Sequence, residues 1–90
     1  MKLLWRPRAW EDYERWRRSD PAIWKMINAL VKDIQQTPYE GLGRPKALQY
    51  DFEGWWSREI TDKHRFRYRI KDGVLEIAQC YGGTIIEGAL

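Results

Sequence analysis

The stretch HRFRYRIK-DG-VLEIAQCY constrains this chain more than any other part of it. Residues 64–71 alternate strictly, with His64, Phe66, Tyr68 and Ile70 on one face and Arg65, Arg67, Arg69 and Lys71 on the other. A period of two is the mark of a strand with one face in a core and the other in water. Asp72-Gly73 is the dipeptide of a two-residue type I′ turn, so the chain must return as an antiparallel strand over Val74–Tyr81. The turn sets the register. It predicts Lys71 opposite Val74, Ile70 opposite Leu75, Arg69 opposite Glu76, Tyr68 opposite Ile77, Arg67 opposite Ala78 and Arg65 opposite Cys80. Ile70, Leu75, Tyr68 and Ile77 then face a core, and Arg65, Arg67 and Arg69 share the open face.

The core must come from upstream. Residues 2–5 (KLLW) predict a short strand. Pro7 opens a helix to about Arg18, with Trp10, Tyr13 and Trp16 in a row at spacing three. Asp20 is the N-cap of a second helix, with Pro21 at its first position. In that helix Ile23, Ile27, Leu30, Val31 and Ile34 form one apolar stripe, and Thr37-Pro38 ends it near Gln36. Residues 38–47 (PYEGLGRPKA) read as a loop, and Gly54–Thr61 as a further strand. Helices first and antiparallel strands after them make an α+β domain with two helices on one face of the sheet.

At 90 residues the chain is read as a single domain spanning 1–90. A lone cysteine, Cys80, excludes a disulfide framework, and a lone histidine, His64, excludes a multi-histidine metal site. Cys80 is read as a structural thiol and His64 as a packed histidine with one nitrogen satisfied. The N-terminus has no apolar signal region, and no apolar run is long enough to span a membrane, so the cytoplasm is expected. Six tryptophans exceed what a small core needs. Trp5, Trp10, Trp16 and one of Trp55 and Trp56 are assigned to the core. Trp24 and the other member of the pair are left for a partner or for RNA.

Charge is concentrated. Residues 58–71 hold six cationic side chains against Glu59 and Asp62, a net +4 where the whole chain carries +3. Three arginines on one strand face repel one another, and phosphate oxygens relieve that repulsion. The alternative reading is a solvated edge partly neutralised by Glu76. Aromatic neighbours and the Gly/Pro loop tilt the reading to single-stranded RNA, whose bases stack on rings and on guanidinium planes.

Several pieces carry a resemblance: MKLLW…AWEDYERW, KMINALVKDI, TPYEGLGRP, GWWSREIT, DKHRFRY and Ala78-Gln79-Cys80. In this order and spacing, over residues 1–80, the chain resembles the YoeB/Txe group of RelE-superfamily toxins. The resemblance implies a RelE-like microbial RNase fold. It implies a ribosome-dependent endoribonuclease that enters the A site and cleaves mRNA without metal or cofactor. It also implies a YefM/Phd-like antitoxin as partner, with a homodimer as a further assembly.

Such cleavage needs a base for the ribose 2′-OH, a cation for the phosphorane and an acid for the leaving 5′-oxygen. The YoeB-like pattern draws these from a Glu in the Gly/Pro loop, the Arg of the His-Arg pair and a C-terminal His-Tyr. Arg65 matches the arginine, and guanidinium forks naturally onto phosphate. Lys46 stands at the loop Glu position, and sister RelE-like enzymes use Lys and Arg in these roles. The candidate site is therefore Arg65 and Lys46 as catalytic residues, with Arg44, Arg58, Lys63, Arg67 and Arg69 binding RNA phosphates.

The chain departs from the pattern in places. Glu59 and Lys63 exchange the usual charges, which predicts a cross-pair of reversed polarity, and Gln49 replaces a lysine. The 81–90 tail is atypical, with Gly83 and Thr84 in place of the His-Tyr pair. Thr84-Ile85-Ile86-Glu87 is an allowed reading of a Tyr-His-Tyr-stop one nucleotide out of frame, which the coding DNA decides. Two readings stay open: an active, weakened nuclease, and a homologue that only binds antitoxin or ribosome.

Overall fold

The computed structural model describes residues 1–85 together with Gly88 and Leu90. In chain order the elements are β1 (Lys2–Trp5), α1 (Pro7–Ser19), α2 (Pro21–Gln36), β2 (Lys46–Ala47), β3 (Trp56–Glu59), β4 (Arg65–Lys71) and β5 (Val74–Gln79), with a 3-10 turn at Tyr50–Phe52. Among the described residues the five strands form one sheet in the order β1-β5-β4-β3-β2. The β2–β5 pairings are antiparallel, as expected, but β1 runs parallel to β5, so the sheet is mixed. The two helices fill the connection between β1 and the rest of the sheet, which lets β1 lie beside β5 in the same direction.

Local chemistry explains the helix ends. Pro7 and Pro21 occupy first-turn positions, where a missing N–H is harmless. The Asp20 carboxylate accepts from Ile23 N–H at 3.4 Å, capping α2 as predicted. Both helices lie on one face of the sheet. Ile27, Leu30, Val31 and Ile34 of α2 join Ala9 and Trp16 of α1 against Phe66, Tyr68, Leu75 and Ile77. Each large side chain sealed here contributes about 1.5–3 kcal/mol.

The hairpin turn forms as read, with positive φ at Asp72 (53°) and Gly73 (75°). The register holds from Lys71–Val74 to Tyr68–Ile77 and then slips. Arg67 faces Gln79, not Ala78, because Ala78 is an extra residue bulged out of β5. The expected Arg65–Cys80 pairing is lost with it, and Arg65 N–H donates instead to Gly82 O at 3.0 Å. The bulge turns Gln79 onto the open face beside Arg67, while Cys80 drops into the core.

The tryptophans divide differently from expectation. Trp5 and Trp16 pack as assigned, but Trp10 is 47% exposed and stacks on Tyr13 at the surface. Trp24, left for a partner, is half-buried against the core. Trp56 packs on the helix side and touches Tyr39. Trp55 lies on the opposite face, yet it is buried beneath the Arg6 and Arg69 guanidiniums, 4.8 and 4.6 Å from its ring. No helix among the described residues is long and apolar enough to cross a membrane.

Candidate nucleic-acid interface

The Gly/Pro loop is fixed by a buried arginine. Arg58 is fully buried, and its three nitrogens bond Tyr68 Oη, the Asp33 carboxylate and the carbonyls of Leu42, Thr37 and Glu40. Asp33 also accepts from Leu42 N–H at 3.0 Å, and Tyr68 Oη donates to Pro38 O at 2.6 Å. The Arg58 hydrogen bond and then the Leu42 N–H hold the Asp33 carboxyl below the usual carboxylate range. The motif glycines have steric reasons here. A Cβ on Gly41 would sit 2.2 Å from Asp33 Oδ2, and one on Gly43 would sit 2.7 Å from Glu59 O. Gly43 O accepts from Glu59 N–H at 2.6 Å, which seats the loop on β3. Arg58 therefore has no nitrogen left for RNA, and its assignment to phosphate binding is corrected to a structural one.

The seated loop delivers Lys46 to the sheet edge. The register aligns Lys46, Ser57, Arg67 and Gln79 in one row across four strands of the open face. Strand spacing puts the Lys46 backbone roughly 10 Å from that of Arg67. Lys46 is exposed, as are Arg44 in the loop and Lys63 in the β3–β4 turn. Arg65 occupies the neighbouring row opposite Glu59. Its Nη1 donates to Thr61 O at 2.8 Å and to the Asp62 and His64 carbonyls at 3.2 Å. The guanidinium is thus anchored on the turn and half-exposed. Among the described residues Glu59 and Lys63 form no ion pair, so the expected cross-pair is absent.

Arg67 and Arg69 part company. Arg69 Nε bonds Glu76 at 2.9 Å while Arg6 Nε bonds the other carboxylate oxygen at 2.6 Å, and both guanidiniums cover Trp55. Burial pushes the Glu76 carboxyl up, but the two arginines outweigh it and leave it below its ordinary value. Arg69 is therefore neutralised in place, as the solvated-edge reading foresaw through Glu76, and it is not a free phosphate ligand. Arg67 is only 6% exposed and donates from Nη2 to Gly83 O at 2.8 Å. Among the described residues its Nε and Nη1 are buried without a hydrogen-bond partner. Burial, and then the charge of Arg65, pulls its guanidinium below its ordinary value.

His64 is a packed histidine, as read. Its Nδ1 accepts from Gly82 N–H at 2.8 Å, and the ring lies against Trp16 and Tyr81. Burial pushes the Cys80 thiol up, away from reactivity. Two participants escaped the sequence: Gln79, which the bulge re-aims, and the carbonyls of residues 81–84, which lie across this face. The alternation of β4 signals neither. Arg6 was a third omission; only its place just before Pro7, at the mouth of α1, hinted at it.

Two helices on one face of a small mixed sheet, with an arginine-bearing central strand turned to the other face, define the RelE-like architecture. The profile of a family described as YoeB-like toxin of bacterial type II toxin–antitoxin systems matches residues 5–82, and the chain belongs to that family. Toxin YoeB of Escherichia coli K12 is 46% identical over 80 residues, covering 89% of this chain and 95% of that protein. The YoeB/ParE toxin structure from Agrobacterium tumefaciens superposes with a TM-score of 0.92 at 43% identity, over 93% of this chain and all of that one. Two Staphylococcus aureus structures each cover 93% of this chain and 98% of their own. They are a YoeB dimer (TM-score 0.88, 33% identity) and a YoeB-YefM complex (TM-score 0.86, 32% identity). The chain is thus a toxin of a type II toxin–antitoxin system.

Proposed function

We propose that this toxin is a ribosome-dependent endoribonuclease acting on mRNA in the A site. The observation that carries the reading is the open sheet face, where Arg65, Arg67 and Lys46 converge within three adjacent strands. In the proposed step the ribose 2′-oxygen attacks the adjacent phosphorus, the bond to the 5′-oxygen breaks, and a 2′,3′-cyclic phosphate remains. Arg65 stabilises the pentacoordinate phosphorane, and Lys46 is the group offered as base for the 2′ proton. Arg44 and Lys63 hold flanking phosphates. Gly83 and Thr84 carry no proton suited to the leaving oxygen, so water supplies it. Missing one positioned acid lowers the rate by about 10²–10⁴.

The proposed partners are a YefM/Phd-like antitoxin, the ribosome and a second copy of the chain, within a cytoplasmic setting. The Staphylococcus aureus complex and dimer support the first and last of these. Gly83 and Thr84 also favour a second reading, in which the chain retains antitoxin or ribosome binding without turnover. Induced expression separates the two. Growth arrest with new 5′ ends in ribosome-bound mRNA, read by primer extension, supports the nuclease. Intact mRNA removes it.

A further inference from the structure

Arg67 presents an unusual combination: a guanidinium on the face proposed to meet RNA, 94% withdrawn from water, with two of its three nitrogens unsatisfied among the described residues. Orphaned donors on a charged group are expensive to bury, and native chains rarely leave them so. Its one hydrogen-bonded nitrogen is held by the chain's own tail, at Gly83 O. Tyr81 stacks on Trp16 with ring centroids 5.0 Å apart and lies under Arg15, which fixes the start of the tail. The next carbonyls then turn onto the sheet. Gly83 O takes Arg67 Nη2, while Gln79 Nε2 donates to Tyr81 O at 3.0 Å and to Thr84 O at 2.8 Å.

We propose that residues 83–84 are a displaceable cover over an anion subsite formed by Arg67, and that the displacing ligand is a phosphodiester of single-stranded RNA. The inference rests on the reading of this face as an RNA interface. A neutral carbonyl satisfies one guanidinium nitrogen, whereas a phosphate brings several oxygens and a full charge and takes two nitrogens side by side. Both forks of the Arg67 guanidinium, Nε with Nη2 and Nη1 with Nη2, include the nitrogen that Gly83 O holds, and the other member of each lacks a partner among the described residues, so a phosphate gripped side by side takes the place of that carbonyl. Gly82 is anchored by Arg65 N–H and His64 Nδ1, and beyond it the bonds among the described residues are Arg67 to Gly83 O and Gln79 to Thr84 O. Ligand and tail compete for one place, and the apparent affinity is reduced by the fraction of time the cover is closed. Two hydrogen bonds of ordinary net worth correspond to about a 30-fold bias towards the closed state. The cover regulates the toxin from within.

The test uses the full chain and a fluorescein-labelled single-stranded hexaribonucleotide, with binding read by anisotropy. Gln79→Leu removes both Gln79 bonds to the tail. Gly83→Val opens it independently, because even a Cβ on Gly83 meets Lys63 O at 3.1 Å. Each variant that retains the native circular dichroism spectrum should bind the oligonucleotide at least about fivefold more tightly than the parent, the worth of one ordinary hydrogen bond. Adding Arg67→Gln to either should abolish the gain. In the unmodified chain, saturating oligonucleotide should shift the Gln79 side-chain amide signals in the NMR spectrum. Unchanged affinity in a folded variant, a gain that survives Arg67→Gln, or unmoved Gln79 signals at saturation overturns the cover. Cleavage reads the other claim. A binding gain without any mRNA cleavage removes the nuclease and keeps the cover, and cleavage with no binding gain does the reverse.

Discussion

The Arg58 guanidinium meets the Asp33 carboxylate in the joint between α2 and β3, and the same guanidinium holds three carbonyls of residues 37–42. One buried cation therefore joins a helix end, a loop and the sheet. Breaking such a pair by removing one partner is costly, because the other charge is left without compensation. Arg58→Met should destabilise the fold by about 3 kcal/mol or more, measured by urea unfolding.

Asp33→Asn gives the pH dependence. The Asp33 carboxyl is depressed in the folded chain, so its contribution is complete above the unfolded-state value of about 3.9 and is lost as pH falls through the lower folded value. The variant should be less stable than the parent by about 1.5–3 kcal/mol at neutral pH. The two stability curves should converge as pH falls through the lower folded value. Glu76, also depressed, leaves a residual acid slope in both proteins. Urea midpoints across pH 2–7 check the convergence; a gap that persists in acid would contradict the charge argument.

Gly43 sits at φ 78° with Glu59 O in the place a Cβ would take. Gly54 sits at φ 96° with nothing within 4 Å. Gly54→Ala should therefore carry only the left-handed backbone term, about 1–2 kcal/mol. Gly43→Ala should exceed it by a further 1–3 kcal/mol or so, from overlap with the β3 backbone. Equal losses in thermal unfolding would show that the loop lifts off β3 freely.

Arg65→Ala should remove mRNA cleavage, with a fall of about 10²–10⁴ from loss of the phosphorane cation. Its stability should change little, since its bonds are to surface turn carbonyls. Primer extension on ribosome-bound mRNA reads the first expectation and thermal unfolding the second.

Salt titrations should sort the cations. Arg44→Ala and Lys63→Ala should each lower the slope of log affinity against log salt by about 0.7, the value for one single-stranded phosphate contact. Arg69→Gln should leave the slope unchanged and reduce stability instead, because Arg69 is paired with Glu76 above Trp55. A reduced slope for Arg69→Gln would return it to the RNA-binding set.

Much of the fold was legible because its signals are local. The β4 alternation, the Asp72-Gly73 turn, the Asp20 cap and the α2 stripe each fix a conformation within a few residues. What was missed depends on long-range geometry. The fate of Arg58 was hidden because residue type cannot distinguish a guanidinium facing water from one surrounded by carbonyls. Arg69 was misassigned because its pairing with Glu76 above the Trp55 ring is one of two outcomes the strand register left open, and side-chain placement alone decides between them. The parallel seat of β1, the two-residue β2 and the Ala78 bulge are properties of strand assembly, and no short window of sequence specifies them. Lys46, by contrast, was placed on the resemblance, and the row it shares with Arg67 emerged only from the strand register.

The extra residue at Ala78 has a consequence for how this chain can vary. Everything after a bulge changes sides, so residues 81–84 approach the basic face only because one residue of β5 goes unpaired. Just past Cys80 the chain is still tied to the fold, through Tyr81 packed on Trp16 and Gly82 bonded to His64 and Arg65. Removing the extra residue would exchange the faces of Gln79 and Cys80, turning the thiol towards the basic face and the amide towards the helices. The bulge thus fixes which residues of the ending a change in length can bring to Arg67.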